Sequence, residues 1–333
     1  MKPAPASPSN ALSMNDIAVI GAGAWGTALA IVASQGGRTV TLWARDPLRA
    51  DAMRQTRRNP RLPSAILPNT IDVTDRLPRA RITLLAVPLQ HLHAVSSELP
   101  PSATLVVCAK GIEAGTLRLP LEILAETQPR CRHAVLSGPN FAQEIAGLLP
   151  AAAVVASEDA ATRADIVACL ATPQFRLYGN ADAVGVQIGG AAKNVIAIAA
   201  GAAIGAGLGE NARAALITRG LAELTRLSDA LGGQAATIAG LSGLGDLLLT
   251  CTGASSRNFS LGLALGQGQA LPDILAERNT VAEGVATAPA LLARALQAGV
   301  CLPICAAVAA LVSGAGTIPD MIGSLLARPL RDE

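Results

Sequence analysis

Along its first half the chain alternates short, continuous apolar runs with longer stretches of helical composition. The runs fall at 16–20, 39–43, 82–87, 104–109, 134–137 and 151–156. Apolar runs of strand length without polar alternation predict strands buried on both faces, and the segments between them predict crossover helices and a parallel sheet. A Pro- and Arg-rich segment, 57–69, interrupts the alternation and reads as a loop. After about residue 183 the strand pattern stops. Ala/Leu-rich stretches at 186–206, 211–231, 258–265 and 287–298 replace it, broken by glycine clusters. The pattern predicts an α/β protein with a doubly wound parallel sheet at 14–183 and an all-helical domain at 184–333. Residues 1–13, rich in Pro, Ala and Ser, lack the apolar core of a signal peptide and read as a disordered tail.

Composition narrows the function. Hydrophobic residues make up 51% of the 333 but aromatics only 2%, so the core must be built from Ala, Leu, Val and Ile. A net charge of +2, with no basic excess in either half, excludes a nucleic-acid binder. A small molecule, or a second copy of the chain in a homodimer, is left as the partner. The most apolar late stretch, 195–209, is too short to span a bilayer, and extending it backwards meets Lys193 and Asn194, so no transmembrane segment is expected. The six cysteines form no C-x-x-C pair and no zinc spacing, which reads as reduced core thiols in a cytoplasmic protein without a metal. Of 26 basic residues only Lys2, Lys110 and Lys193 are lysines. Lysine differs from arginine in that its amine can lose the proton when desolvated, so the two internal lysines stand out as chemical groups.

Gly21-Ala-Gly23-Ala24-Trp25-Gly26 follows the first run and opens a helix. One glycine serves the tight turn, one the approach of backbone to a pyrophosphate, and one close helix–strand packing. The helix N-terminus beyond them offers free N–H groups to phosphate. In this position the motif predicts a Rossmann-type dinucleotide site. The second run ends in Trp43-Ala-Arg45-Asp46, without the acidic residue at its tip that usually holds the ribose of NAD. Arg45 suits the 2′-phosphate of NADP and favours NADP over NAD; the plain alternative is a solvated Arg beside Asp46.

The remaining motifs are polar islands in apolar sequence. Lys193 lies in Gly189-Gly-Ala-Ala-Lys193-Asn194, inside an apolar helix where burial favours a neutral amine able to exchange a proton near neutral pH. The alternative is a lysine snorkelling from a helix flank. Asp246 ends a glycine-rich approach, either as a helix N-cap or as a partner that orients Lys193. Ser255-Ser256-Arg257-Asn258 forms a candidate phosphate clamp at a helix start, or a polar loop. Lys110 and the segment Ser137-Gly138-Pro-Asn140-Phe-Ala142 follow successive strand ends, where open α/β sheets bind ligands. His91 and His93 have no carboxylate at motif spacing and read as loop residues.

Taken in order, Val19 to Ala30 around the glycines, Ala109-Lys-Gly-Ile-Glu113, Leu136-Ser-Gly-Pro139, the segment around Lys193, Asn211 to Gly220, Gly243-Leu-Gly-Asp-Leu247, Ser256-Arg-Asn258 and Val281-Ala-Glu283-Gly284 resemble the bacterial NAD(P)-dependent glycerol-3-phosphate dehydrogenase family. The resemblance covers nearly the whole chain. It implies NADP- or NAD-dependent reduction of dihydroxyacetone phosphate to sn-glycerol 3-phosphate, supplying phospholipid synthesis. It implies Lys193 as proton donor steadied by Asp246, with Lys110, Gly138, Asn140, Ser256, Arg257 and Asn258 at the substrate. It also implies Gly21, Gly23, Ala24, Trp25, Gly26, Arg45, Lys110, Ala142, Arg257, Val281 and Glu283 at the nucleotide. Asn140 departs from the Ser or Thr usual there. Two rivals are a related dehydrogenase acting on a hydroxy acid and a catalytically silent NAD(P)H-binding sensor.

Overall fold

The structure, a computed structural model, describes residues 15–253, 255–278 and 282–327. The tail expected at 1–13 and Val281 lie outside them. Eight strands form one sheet: β1 Asn15–Ile20, β2 Val40–Trp43, β3 Ile71–Thr74, β4 Ala80–Leu85, β5 Thr104–Val107, β6 Arg132–Ser137, β7 Ala151–Ala156 and β8 Phe175–Asn180. They lie in the order β3-β2-β1-β4-β5-β6-β7-β8. Order reverses on either side of β1, so a crevice opens at the carboxyl ends of β1 and β4, where such sheets bind ligands.

Both sheet faces are covered. On β1, Ile17 and Val19 join a core with helix α1 (Ala24–Ser34), while Ala18 and Ile20 join a separate core on the opposite face. That second core includes residues of α3 (Leu92–Glu98) and α4 (Pro120–Thr127). Helices α2 (Pro47–Thr56), α5 (Ala142–Ala146) and α6 (Ala160–Leu170) complete the layers.

Two edge strands, β3 and β8, depart from the apolar-run expectation. Each is half exposed, so polar residues such as Asp72 and Arg176 break the run. The expected all-parallel sheet is corrected at β7, which pairs antiparallel to β6, with β8 following β7 in parallel. A parallel return needs a crossover that retraces the strand. The connection between β6 and β7 carries only the five-residue α5, roughly 7 Å long at 1.5 Å per residue.

Beyond β8 the described chain is helical: α7 Ala183–Gly205, α8 Gly209–Ala230, α9 Ala235–Ile238, α10 Asp246–Thr252, α11 Arg257–Gly266, α12 Leu271–Ala276, α13 Glu283–Gln297, α14 Pro303–Val312 and α15 Ile318–Leu326. Helix α7 is their axle. Two stretches, Ala183–Gly205 and Ala235–Thr252, are long and apolar enough to cross a membrane by length and composition, so the expectation of too short a stretch is corrected. In α7 the apolar window is 89% buried, and that burial accounts for a helix apolar all round.

Helices α7 and α11 touch backbone to backbone. A Cβ on Gly201 would lie 2.0 Å from the Phe259 carbonyl oxygen, and one on Gly262 2.0 Å from that of Ile198. Reciprocal glycines thus bring the start of α11, with Arg257 and Asn258, alongside the middle of α7.

Candidate active site

The three motif glycines do different things. Gly21 has φ +113°, and a Cβ there would meet the Ala86 carbonyl oxygen at 2.8 Å, so the turn after β1 passes too close to β4 for a side chain. A Cβ on Gly26 would lie 2.0 Å from the Gly21 carbonyl oxygen, locking α1 onto the turn. At Gly23, the α1 N-cap, nothing lies within 4 Å, and no side chain caps the helix. The open face and uncapped N–H groups form a cradle that fits a pyrophosphate. Ala24, Trp25 and Ala142 pack half-buried around one core beside this turn. Arg45 is exposed just past β2, while Asp46 accepts the Leu48 amide at 3.0 Å as the α2 N-cap.

A second cluster lies where the sheet meets the helical half. Asp246 is fully buried and Lys193 nearly so. The Lys193 Nζ donates to Asp246 Oδ1 and, at 3.1 Å, to the Thr250 hydroxyl. The other carboxylate oxygen accepts from Lys110 Nζ at 2.5 Å, and Lys110 also donates to the Gly138 carbonyl at 3.1 Å. One carboxylate thus holds two ammonium groups, leaving one excess positive charge when all are ionised. Burial pushes the Lys193 ammonium down to about 8; Asp246 opposes the shift and Lys110 adds to it. The snorkelling alternative therefore fails, and Asp246 is a lysine partner rather than a helix cap.

Local structure explains the placement. Leu241–Gly245 makes a π-helical turn directly before α10. A Cβ on Gly189 would lie 2.6 Å from the Ser242 carbonyl oxygen, so glycine there lets α7 seat against this turn. The glycine-rich approach to Asp246 is thus a packing device. Thr250, absent from the sequence reading, lies one helical turn beyond Asp246; that spacing was its available signal. The Lys110–Asp246 pair spans 136 positions and left no local signal.

Around this cluster the expected residues divide. Gly138 has φ +142°, and Asn140 Nδ2 donates to the Ala152 carbonyl at 3.2 Å. Asn140 Oδ1 is buried without a hydrogen-bond partner. Ser256 caps α11, its hydroxyl accepting the Phe259 amide at 3.2 Å. Asn258 is also engaged, donating to Asn194 Oδ1 at 2.8 Å and accepting the Gly284 amide at 3.0 Å. Arg257 is exposed. Half-buried Glu283, first residue of α13, joins Lys110, Gln90 and Thr287 around a small cavity. Burial raises the Glu283 carboxyl, while Arg257, Lys110 and Lys193 pull it back.

Two lesser expectations change. His91 ends a 3₁₀ turn and His93 lies in α3, its Nδ1 3.6 Å from Glu113 Oε1, so neither is a loop residue. Four cysteines are buried and free as expected, but Cys131 is half-buried and Cys301 exposed. Among the described residues no group of His, Cys, Asp and Glu is arranged to hold a metal.

The family model for the NAD-dependent glycerol-3-phosphate dehydrogenase N-terminus matches residues 16–163, and that for the C-terminus matches 182–323. The chain is 54% identical over 318 residues to an NAD(P)+ glycerol-3-phosphate dehydrogenase of Gluconobacter oxydans, covering 94% of this chain and 97% of that one. It is 58% identical over 319 residues to one of Acidiphilium cryptum, covering 96% and 98%. The crystal structure of glycerol-3-phosphate dehydrogenase from Coxiella burnetii superposes with TM-score 0.90 at 35% identity, covering 95% of this chain and 99% of that one.

Proposed function

From the fact that the chain belongs to the NAD-dependent glycerol-3-phosphate dehydrogenase family, we infer that it catalyses the reversible NAD(P)H-dependent reduction of dihydroxyacetone phosphate to sn-glycerol 3-phosphate, which supplies glycerophospholipid synthesis. The observation that carries the reading within the structure is the buried Lys193–Asp246–Lys110 cluster at the carboxyl end of the sheet.

When bound, the nicotinamide supplies hydride to the substrate carbonyl carbon and takes it back in the reverse direction. Lys193 gives its proton to the carbonyl oxygen as negative charge develops there, and takes it back in oxidation. Asp246 keeps the Lys193 amine aimed and holds Lys110 beside it. The excess positive charge of the cluster suits an anionic substrate and a developing alkoxide. Arg257 reaches from the α11 N-terminus to the phosphate, where a guanidinium binds bidentately. Ser256 and Asn258 serve by fixing that N-terminus. Gly138 lines the substrate, and Asn140 offers its unpartnered Oδ1 to a substrate hydroxyl, in place of the hydroxyl usual there.

Gly21, Gly23 and Gly26 shape the pyrophosphate cradle, with Ala24, Trp25, Arg45, Ala142, Val281 and Glu283 around the nucleotide. Lys110 and Arg257 touch both ligands. Residues 14–183 act as the nucleotide domain and 184–333 as the substrate domain. A homodimer in the cytoplasm completes the reading; free buried thiols support a reducing compartment. Light scattering tests the dimer.

The test of the activity is oxidation of NADPH or NADH on addition of dihydroxyacetone phosphate. Turnover dependent on the triose phosphate is expected. Nucleotide binding without turnover would favour the silent sensor, and turnover only with a hydroxy acid the rival dehydrogenase.

A further inference from the structure

Arg257 is exposed and is the first residue of α11. The glycine contacts that seat α11 on α7 act further along, where a Cβ on Gly201 would meet the Phe259 carbonyl and one on Gly262 that of Ile198. The first turn of a helix frays, because its amides lack helical partners. A long side chain that meets a phosphate from such a position needs its backbone held from elsewhere, or ligand binding must supply the ordering.

Arg278 supplies that hold. It lies just beyond α12 and is half-buried. Its Nη1 donates to the Arg257 carbonyl at 2.9 Å and to the Ser260 hydroxyl at 3.2 Å, and that hydroxyl donates to the same carbonyl at 3.2 Å. Guanidinium, hydroxyl and carbonyl close a triangle across the first turn of α11. Among the described residues no carboxylate forms an ion pair with Arg278. The neighbouring residue, Asn258, is tied separately. It accepts the Gly284 amide, next to Glu283, and donates to Asn194, next to Lys193. The start of α11 is thus linked to α7 and α13 through Asn258, and at Arg257 itself to the single guanidinium of Arg278.

We propose that Arg278 is a positioning residue for Arg257: by pinning the Arg257 carbonyl it fixes the base of that side chain, and so sets the affinity for the phosphate of the triose substrate without touching it. The inference rests on the dehydrogenase reading for the presence of that phosphate. A charged donor makes the bond to the carbonyl stronger than a neutral one would. The unpaired charge beside the α11 N-terminus acts in the same direction, because it adds to a field that favours an anion there.

The test compares the full chain with R278A, R278K, R257A and the double variant R257A/R278A. Calorimetry follows binding of sn-glycerol 3-phosphate to the nucleotide-loaded protein, and steady-state kinetics follows turnover of dihydroxyacetone phosphate. R278A should weaken binding and raise KM by roughly 3- to 10-fold, the weight of one hydrogen bond, with kcat, nucleotide affinity and melting temperature kept. R278K should recover most of the loss, because the contact uses one charged donor rather than a bidentate fork. Once Arg257 is gone, removing Arg278 should change binding by less than about twofold. Binding and KM unmoved in R278A, the same loss with and without Arg257, or a fall in kcat that tracks a lowered melting temperature overturns the proposal. A wild type that binds sn-glycerol 3-phosphate but turns over no dihydroxyacetone phosphate sinks the dehydrogenase reading, and the binding cycle still decides the role of Arg278.

Discussion

The glycine turn after β1 and the lysine–aspartate cluster on α7 and α10, to which the proposed function gives different parts of one reaction, are built on opposite plans. The turn is made of backbone from six consecutive residues, and its work is done by what is missing, a Cβ at Gly21 and Gly26 and an obstruction at Gly23. The cluster is made of charged side chains drawn from positions 110, 193 and 246, buried where each charge is tolerable only because of the others. A backbone site is specified locally and fails locally. A buried charged site is specified by topology, and loss of one member disturbs the rest.

The largest effect should come from the cluster. K193R keeps a positive charge but removes a usable proton, and kcat should fall by about 100- to 10,000-fold with nucleotide binding largely retained. Fluorescence titration with NADPH and a thermal melt beside the kinetics separate lost chemistry from lost fold. Near-normal turnover would remove Lys193 from the mechanism. Next, R257A should raise the KM for dihydroxyacetone phosphate by about 10- to 100-fold, as for a hydrogen bond to a charged group. Steady-state kinetics leaving both substrate and nucleotide constants unchanged would make Arg257 a surface residue.

The turn should respond by position. G26A forces a Cβ into the Gly21 carbonyl and should lower stability by about 1–3 kcal/mol in denaturant titration. G23A has open space and should leave stability within about 0.5 kcal/mol while weakening nucleotide binding. Equal melting behaviour of the two would contradict the separate tasks assigned to them. The gentlest probe is pH. In the proposed mechanism Lys193 is protonated for reduction and neutral for oxidation, and burial lowers its value to about 8. Reduction should therefore fall, and oxidation rise, as pH increases through about 8. Each change should be roughly tenfold between pH 7 and 9, and matching profiles in the two directions would exclude Lys193 as the shared proton carrier.

The same contrast explains what could be read from sequence. The turn was legible because its glycines are close together in the chain, but the approach of Gly21 to the Ala86 carbonyl, which calls for one of them, has no local signal. Six strands were visible because central parallel strands are continuously apolar; β3 and β8 were not, because edge strands mix polar residues into the run. The reversal of β7 depends on the length of α5, which no apolar run reports. In the cluster, Lys193 stood out as a rare lysine in apolar sequence. Its bond to Thr250 and the sharing of Asp246 with Lys110 depend on how α10 docks on α7 and on the strand ends, and neither was expected.

The scarcity of aromatic residues has an optical consequence. The chain has only two tryptophans. Trp25 sits in the glycine turn, and Trp43 ends β2, its indole donating to the Asp75 carbonyl at 3.1 Å. Both emitters lie in the nucleotide half, and the helical half carries none. Intrinsic fluorescence is therefore a regional signal. Emission follows the sheet and its turn and is blind to melting confined to α7–α15, which circular dichroism would register. A gap between the two transitions measures how tightly the halves are coupled, and quenching on adding nucleotide needs no attached dye.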